Sequence, residues 1–286
     1  MNLLKWKLIV LVLFSVIFLS CTDENDDEFT DLPSKFPLLT GNTWEYEKTL
    51  NIYSKDNSTA VGISTTYTDT SIYNYMKFTE VKTDTLLEDT IPAYIVENVE
   101  IELNIKQDDD YSIDYLWNKE DGLYEYVDRY VLNKITVNDS KKYRFKEIEF
   151  DTLNELKAIV NSYGNKVTKY SSYETSKVIE YPIEEGNEWY PLDYWLIGIK
   201  KVIDYQNISV TAGDFEVYEI RTYWDWDEDG IWDDDMVKIE YLSKYGIVKT
   251  RYEVWNSERT DEHGDLLGYY DWIEDEVLVD YEIIEE

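Results

Sequence analysis

The chain has 286 residues, and 61 Asp and Glu against 27 Lys and Arg give it a formal charge of −34. Phosphate backbones demand basic patches, so this balance excludes nucleic acid as a partner. The single cysteine excludes an internal disulfide and the single histidine excludes histidine-based zinc catalysis, while a 43% hydrophobic fraction argues against global disorder.

The N-terminus carries Lys5 and Lys7, the apolar run Leu8-Ile9-Val10-Leu11-Val12-Leu13-Phe14, and then Phe18-Leu19-Ser20-Cys21. The run is too short, and too closely followed by acidic residues, for a stable membrane span; it reads as a cleaved secretion signal over residues 1–20. Its end resembles the lipobox of bacterial lipoproteins, with Phe18 where Leu is usual. The resemblance implies a mature protein that starts at Cys21 and carries a diacylglycerol thioether and an amide-linked acyl chain of the palmitate kind. The membrane is then a partner through Cys21, each buried methylene contributing about 0.8 kcal/mol. Loss of the two signal lysines takes the formal charge from −34 to −36. Such charge opposes compaction, and bound divalent cations would relieve it. Thr22-Asp23-Glu24-Asn25-Asp26-Asp27-Glu28 opens an acidic tether over residues 21–34. That stretch resembles the export signal of lipoproteins displayed on the outer leaflet, which implies an outer-membrane, surface-exposed location.

Beyond the tether the apolar residues follow a period of two. Trp44-Glu45-Tyr46, the stretch from Tyr94 to Leu103, Val237-Lys238-Ile239-Glu240-Tyr241-Leu242 and the stretch from Val277 to Ile283 alternate apolar with polar. This predicts strands with one buried and one wet face, in a mainly β fold of antiparallel sheets shaped as a half-barrel or a sandwich. One helix is predicted over 151–164, with Asp151 as N-cap, Leu153, Leu156, Val160 and Tyr163 along one face, and Gly164 as stop.

The helix separates two segments that echo each other, 35–150 and 165–286. Phe36-Pro37-Leu38-Leu39-Thr40-Gly41-Asn42-Thr43-Trp44 returns as Tyr181-Pro182-Ile183-Glu184-Glu185-Gly186-Asn187-Glu188-Trp189. The stretch from Tyr115 to Tyr124, with Lys119 and Gly122, returns more loosely from Tyr241 to Val248, with Lys244 and Gly246. The pattern predicts two diverged β repeats. Each Gly-Asn supplies a turn tolerant of positive φ just before a strand that plants its Trp in the core, and the Lys-x-Gly stretches read as hairpin turns.

The opening Pro-Leu-x-x-Gly-Asn-x-Trp-x-Tyr, the stretch Thr211-Ala212-Gly213-Asp214-Phe215-Glu216-Val217-Tyr218 and Tyr245-Gly246-Ile247-Val248-Lys249 resemble a broad group of bacterial secreted lipoproteins of unassigned function. The resemblance implies a β-rich fold and brings no catalytic residues.

One stretch carries specific chemistry. Asp225-Trp226-Asp227-Glu228-Asp229-Gly230-Ile231-Trp232-Asp233 matches the first nine positions of the calcium-loop pattern D-x-D-x-D-G-x-x-D. Asp225, Asp227 and Asp229 can converge on one ion, Gly230 allows the sharp turn, the Ile231 carbonyl supplies a ligand, and Asp233 binds directly or through water. Met236 stands where the pattern ends on a bidentate Glu, and the flanks read as strands. Calcium is therefore expected to staple a hairpin. Thr85, Thr90 and Thr152, each after Asp and before an aliphatic residue, resemble O-glycosylation acceptors of exported bacterial proteins. His263 lies in a polar stretch and reads as a turn residue. No G-x-S-x-G elbow and no phosphate-cradling glycine motif is present.

These features predict a lipid-anchored binding or envelope-interaction module with a structural calcium ion and a glycan or another envelope protein as partner. A carrier of an apolar ligand in a curved sheet and a glycoside hydrolase working through two carboxylates are the alternatives.

Overall fold

The computed structural model describes residues 34–55, 69–87, 91–103, 110–128, 143–146, 148–163, 173–191, 197–226, 229–261, 263 and 265–284. These belong to one compact unit. Cys21, the tether up to residue 33, Thr90, Gly164 and Asp227 lie outside the described residues.

The fold is mainly β and antiparallel. The first run of strands is β1 (Thr43–Lys55), β2 (Asp69–Leu87), β3 (Ile91–Glu102), β4 (Asp110–Asn118) and β5 (Gly122–Asp128). Two short strands, β6 (Tyr143–Phe145) and β7 (Ile148–Phe150), and the helix α1 (Leu153–Tyr163) follow. The chain then returns to the sheet as β8 (Tyr173–Glu180) beside β5. The second run is β9 (Glu188–Trp189), β10 (Ile197–Val210), β11 (Gly213–Asp225), β12 (Asp233–Ser243), β13 (Gly246–Thr260) and β14 (Leu266–Glu282).

Twelve strands make one continuous path, β8-β5-β4-β3-β2-β1-β14-β13-β12-β11-β10-β9, with β6 paired to β13 and β7 alongside it. After β8 the order is the first run reversed, followed by the second run reversed, joined through β1 and β14. The two ends of the path come back together: the Lys177 amide donates to the Pro191 carbonyl at 2.9 Å, and the Trp189 indole donates to the Lys177 carbonyl at 3.0 Å. The sheet is thus a nearly closed barrel, of the two shapes expected from the alternation closer to the half-barrel than to the sandwich.

The two Gly-Asn turns are built alike. Gly41 and Gly186 hold φ of 94° and 85°, a left-handed conformation that favours glycine. The Gly41 amide donates to Val81, whose own amide donates to Asn42; the Gly186 amide donates to Val202, whose amide donates to Asn187. In both cases the partner strand carries a register shift just beyond that valine, at Val81/Thr83 in β2 and at Val202/Asp204 in β10. Trp44 and Trp189 are buried, as the turn before each predicts.

Side chains on the inner face fall into layers, apolar at both ends and polar between. Along β1 the inward residues run Trp44, Tyr46, Lys48, Leu50; along β12 they run Leu242, Glu240, Lys238, Met236; along β14, Leu278, Glu276, Glu274, Trp272. One apolar cluster gathers Trp44, Val81, Val96, Leu123, Val202 and Leu278. The other gathers Leu50, Phe150, Leu156, Trp224, Met236 and Trp272, with α1 packed into it. The helix starts at Thr152 rather than Asp151: the Thr152 hydroxyl accepts the Glu155 amide at 3.2 Å, while the Glu155 carboxylate accepts the Asp151 amide at 2.9 Å. These two bonds, a variant of the capping box that reaches back one residue further, fix the helix entry.

Candidate functional site

Between the two apolar layers lies a cavity of about 750 Å³. Its wall is mixed, with a belt of charged side chains between apolar ones such as Trp44, Val96, Leu123 and Trp224. Lys48 pairs with Glu100 at 2.6 Å and with Glu274 at 3.4 Å, and Glu274 also takes Lys157, which α1 sends into the barrel. Lys77 pairs with Glu276 at 2.9 Å. Across the lumen, Glu240 accepts Lys200 through one oxygen and Lys238 through the other, both at 2.7 Å. Lys200 also donates to the Val178 carbonyl of β8 at 3.0 Å, which ties β10 to β8 at the closing seam.

These pairs are far from neutral in effect. Burial alone would lift the Glu240 carboxyl, but Lys200 and Lys238 outweigh it and hold it down at about 2. Burial likewise opposes ionisation of Glu274, and Lys157 and Lys48 override it, again to about 2. Buried carboxylates kept ionised by two lysines each are the reason the belt tolerates so much charge.

Two acids of the lumen stand apart. Asp114 of β4 accepts the Asn98 side-chain amide at 2.8 Å, and Glu125 sits diagonally from it on β5, where Leu116 is the residue opposite Glu125. Neither makes an ion pair among the described residues. Burial raises the Asp114 carboxyl above its ordinary range, against the pull of Lys77, Asn98 and Lys238. Burial first, and the neighbouring Asp114 charge second, push Glu125 up to about 7. The arrangement is therefore an acid pair left unneutralised in a lumen whose lysines are already taken.

No family model and no curated protein matches the sequence. Among solved structures, the chain is similar to a candidate lipoprotein of Parabacteroides distasonis at 11% identity, over 88% of this chain and 100% of that one, with a TM-score of 0.37. It is also similar to a candidate exported protein with a YmcC-like fold from Bacteroides fragilis at 12% identity, over 88% and 99% of the two chains, with a TM-score of 0.34. Likeness at this level carries no function across, and the site rests on the residues of this chain.

The residues singled out from the sequence lie elsewhere. In the acidic loop between β11 and β12, Asp225 is buried and accepts the amides of Asp229 at 3.2 Å and Gly230 at 2.9 Å. Asp229 accepts the Ile231 amide at 2.8 Å. Asp233 accepts the Trp226 amide at 2.8 Å and the Lys146 ammonium at 3.2 Å. These carboxylates are spent on closing the loop, and among the described residues no three of them are grouped to hold a metal. Trp224 belongs to the core and Trp226 packs edge-on against Phe145 at 5.3 Å, so this pair builds no exposed platform. Thr85 lies in β2 opposite Ala93, and Thr152 caps α1. His263 is exposed in a turn, its amide donated to Asp261.

The lumen went unread in the sequence, although one signal points to it. Lys48 occupies the buried phase of Trp44-x-Tyr46-x-Lys48-x-Leu50, a place where a charge must meet a partner inside.

Proposed function

We propose that the protein is a lipid-anchored envelope protein, held at Cys21, whose barrel binds a small hydrophilic ligand bearing a cationic group. The observation that carries this is the unneutralised pair Asp114 and Glu125 in the charged belt of the cavity. An amine or guanidinium placed there would supply the counter-charge that the lumen's own lysines, committed to Glu100, Glu240, Glu274 and Glu276, do not. The charged belt favours a ligand with a polar or cationic group at its level, since hydrocarbon buried against those ion pairs gains little and strips their remaining hydration, while the apolar ends of the cavity can take the rest of the ligand. Amino sugars fall within the favoured chemistry and keep the glycan expectation within reach.

Thermal unfolding of the purified protein against a panel of small amines, guanidines, amino sugars and neutral sugars tests the reading. Stabilisation by cationic members, lost in Asp114→Asn/Glu125→Gln, is the expected result. Stabilisation by neutral sugars alone, undiminished in that variant, would remove the acid pair from the reading. A second reading draws on the same residues: a carboxylic acid poised near neutral beside a second carboxyl is the equipment of a glycoside hydrolase. Turnover of aryl glycosides that Glu125→Gln abolishes would favour it over binding.

Anchoring and display are carried by the sequence of residues 1–28. Cys21→Ala is expected to release the protein from membranes, and protease shaving of intact cells reports surface exposure. Calcium is carried forward by the loop pattern and by Asp225, which already gathers the amides of positions five and six; an ion there has to displace Lys146 from Asp233. A melting temperature unchanged between calcium and chelator would dismiss it.

A further inference from the structure

At the junction of the two β runs, three side chains meet in a site apart from the lumen. Lys55 ends β1, Asp271 lies in β14 opposite Tyr53, and Asn256 lies in the register shift of β13 between Val254 and Ser257, with a positive φ of 61°. The Lys55 ammonium contacts the Asp271 carboxylate at 2.6 Å and donates to the Asn256 side-chain oxygen at 2.9 Å. The backbone amide of Asn256 donates to the same Asp271 oxygen at 2.9 Å. The Lys55 and Asp271 side chains are both 0% exposed.

An ion pair so fully buried is a poor source of stability by itself, because desolvation offsets its attraction. It is, however, the arrangement that amide formation requires: an amine in contact with both a carboxamide oxygen and a proton carrier, the carrier held beside that asparagine by its backbone N–H, and all of them shielded from the water that would compete. We propose that Lys55 and Asn256 join in an intramolecular isopeptide bond, with Asp271 as the proton carrier.

The step balances without any co-reactant. Asp271 takes a proton from the Lys55 ammonium. The freed amine attacks Cγ of Asn256 while Asp271 returns the proton to the carboxamide, and rotation about the soft terminal torsion of Asn256 turns its carbonyl face to the amine. The Cγ–Nδ2 bond breaks, the Cγ–Nζ bond remains, and ammonia leaves with the proton released from the amine. No atom is oxidised or reduced. Asp271 ends as it began, beside the new amide.

The position gives the bond a purpose. Lys55 and Asn256 are 201 residues apart in sequence, on strands that flank β14. A covalent bridge over β14 would lock β1 to β13, and so the first run to the second, at the one place where they join along the path. Closing so long a loop in the unfolded chain is the largest entropic gain a crosslink offers. The single cysteine leaves no disulfide to do it.

Mass spectrometry decides the matter. Tryptic digestion of the denatured full-length chain should give a branched species joining residues 49–77 to residues 252–259, with Lys55 uncleaved and the mass lower than the two peptides together by one ammonia. Recovery of Lys55 and Asn256 only in linear peptides at their sequence masses would overturn the proposal, and the wild-type digest suffices for this. In Asp271→Ala trypsin should cleave after Lys55, and residues 252–259 should be recovered unlinked. A branched species persisting there would overturn the part given to Asp271.

Discussion

The side-chain amide of Asn42 donates to the Pro37 carbonyl at 2.9 Å, and that of Asn187 donates to the Pro182 carbonyl at the same distance. The two asparagines perform one task in two copies of one turn, but their surroundings differ. Asn42 is wholly buried and its oxygen also accepts the Ile284 amide at 2.8 Å, which pins the chain just beyond β14. Asn187 is partly open to solvent.

Asn42→Ala is therefore expected to cost about 2–3 kcal/mol, because it strands a buried donor and a buried acceptor, and Asn187→Ala about 1 kcal/mol, because water replaces the lost bond. Urea unfolding of the two variants side by side checks the difference. Equal losses would mean that burial does not separate the two copies.

Gly246 gives the sharpest steric prediction. Its φ is 108°, and a Cβ there would stand 2.9 Å from the Trp44 indole nitrogen, which donates to the Tyr245 carbonyl at 2.6 Å. Gly246→Ala combines backbone strain with displacement of a core tryptophan and is expected to cost at least about 3 kcal/mol. A fall of that size in unfolding free energy, with loss of the near-ultraviolet tryptophan signal, is the check. Gly186→Ala, where a Cβ meets nothing within 4 Å, carries the strain alone and should cost less.

Glu240→Gln leaves Lys200 and Lys238 sharing a neutral partner inside the barrel and is expected to cost roughly 3–5 kcal/mol. The pH dependence follows from the same pairing. A carboxyl whose folded value is depressed to about 2 contributes its stability fully above its unfolded value, and loses it as pH falls through the folded one. Glu240 and Glu274 together predict steep acid unfolding between about pH 4 and pH 2. Glu240→Gln should remove its share of that slope, which acid titration followed by circular dichroism will show.

The strands and the two Gly-Asn turns could be read from the chain because both are local. A period of two and a glycine before an asparagine need no knowledge of the partner strand. The lumen depends on closure. Lys238 and Glu240 alternate with Val237, Ile239 and Tyr241, and that pattern predicts a face turned to bulk solvent. In the barrel this polar face is the inner one, and Glu240 is buried there between two lysines. Which of the many acids meet inside was hidden for the same reason: Lys157 reaches Glu274 only because α1 packs into one end of the barrel, a contact spanning 117 residues of sequence. The acidic loop shows the same dependence on tertiary partners. Its spacing is that of a calcium site, yet its carboxylates find backbone amides and a lysine contributed by the stretch between β6 and β7.

Glu125 ties stability to the proposed ligand. Its folded value of about 7 lies above its unfolded one near 4.3, so the folded state binds the extra proton between the two. Stability from this group is complete below about pH 4 and declines as pH rises to about 7, opposite in sign to the contribution of Glu240. The size of the decline is roughly 2 kcal/mol once water in the cavity has screened part of the shift. Glu125→Gln should abolish it, raising the melting temperature at pH 8 while leaving it nearly unchanged at pH 4. A cationic ligand should do the same to the wild type by favouring the ionised carboxylate, and its affinity should rise with pH across the same interval. Melting curves of both proteins at pH 4, 6 and 8, with and without such an amine, separate the two effects: a wild type whose stability does not fall between pH 4 and 8 would mean that Glu125 is already neutralised, and the lumen would lose its claim on a cation.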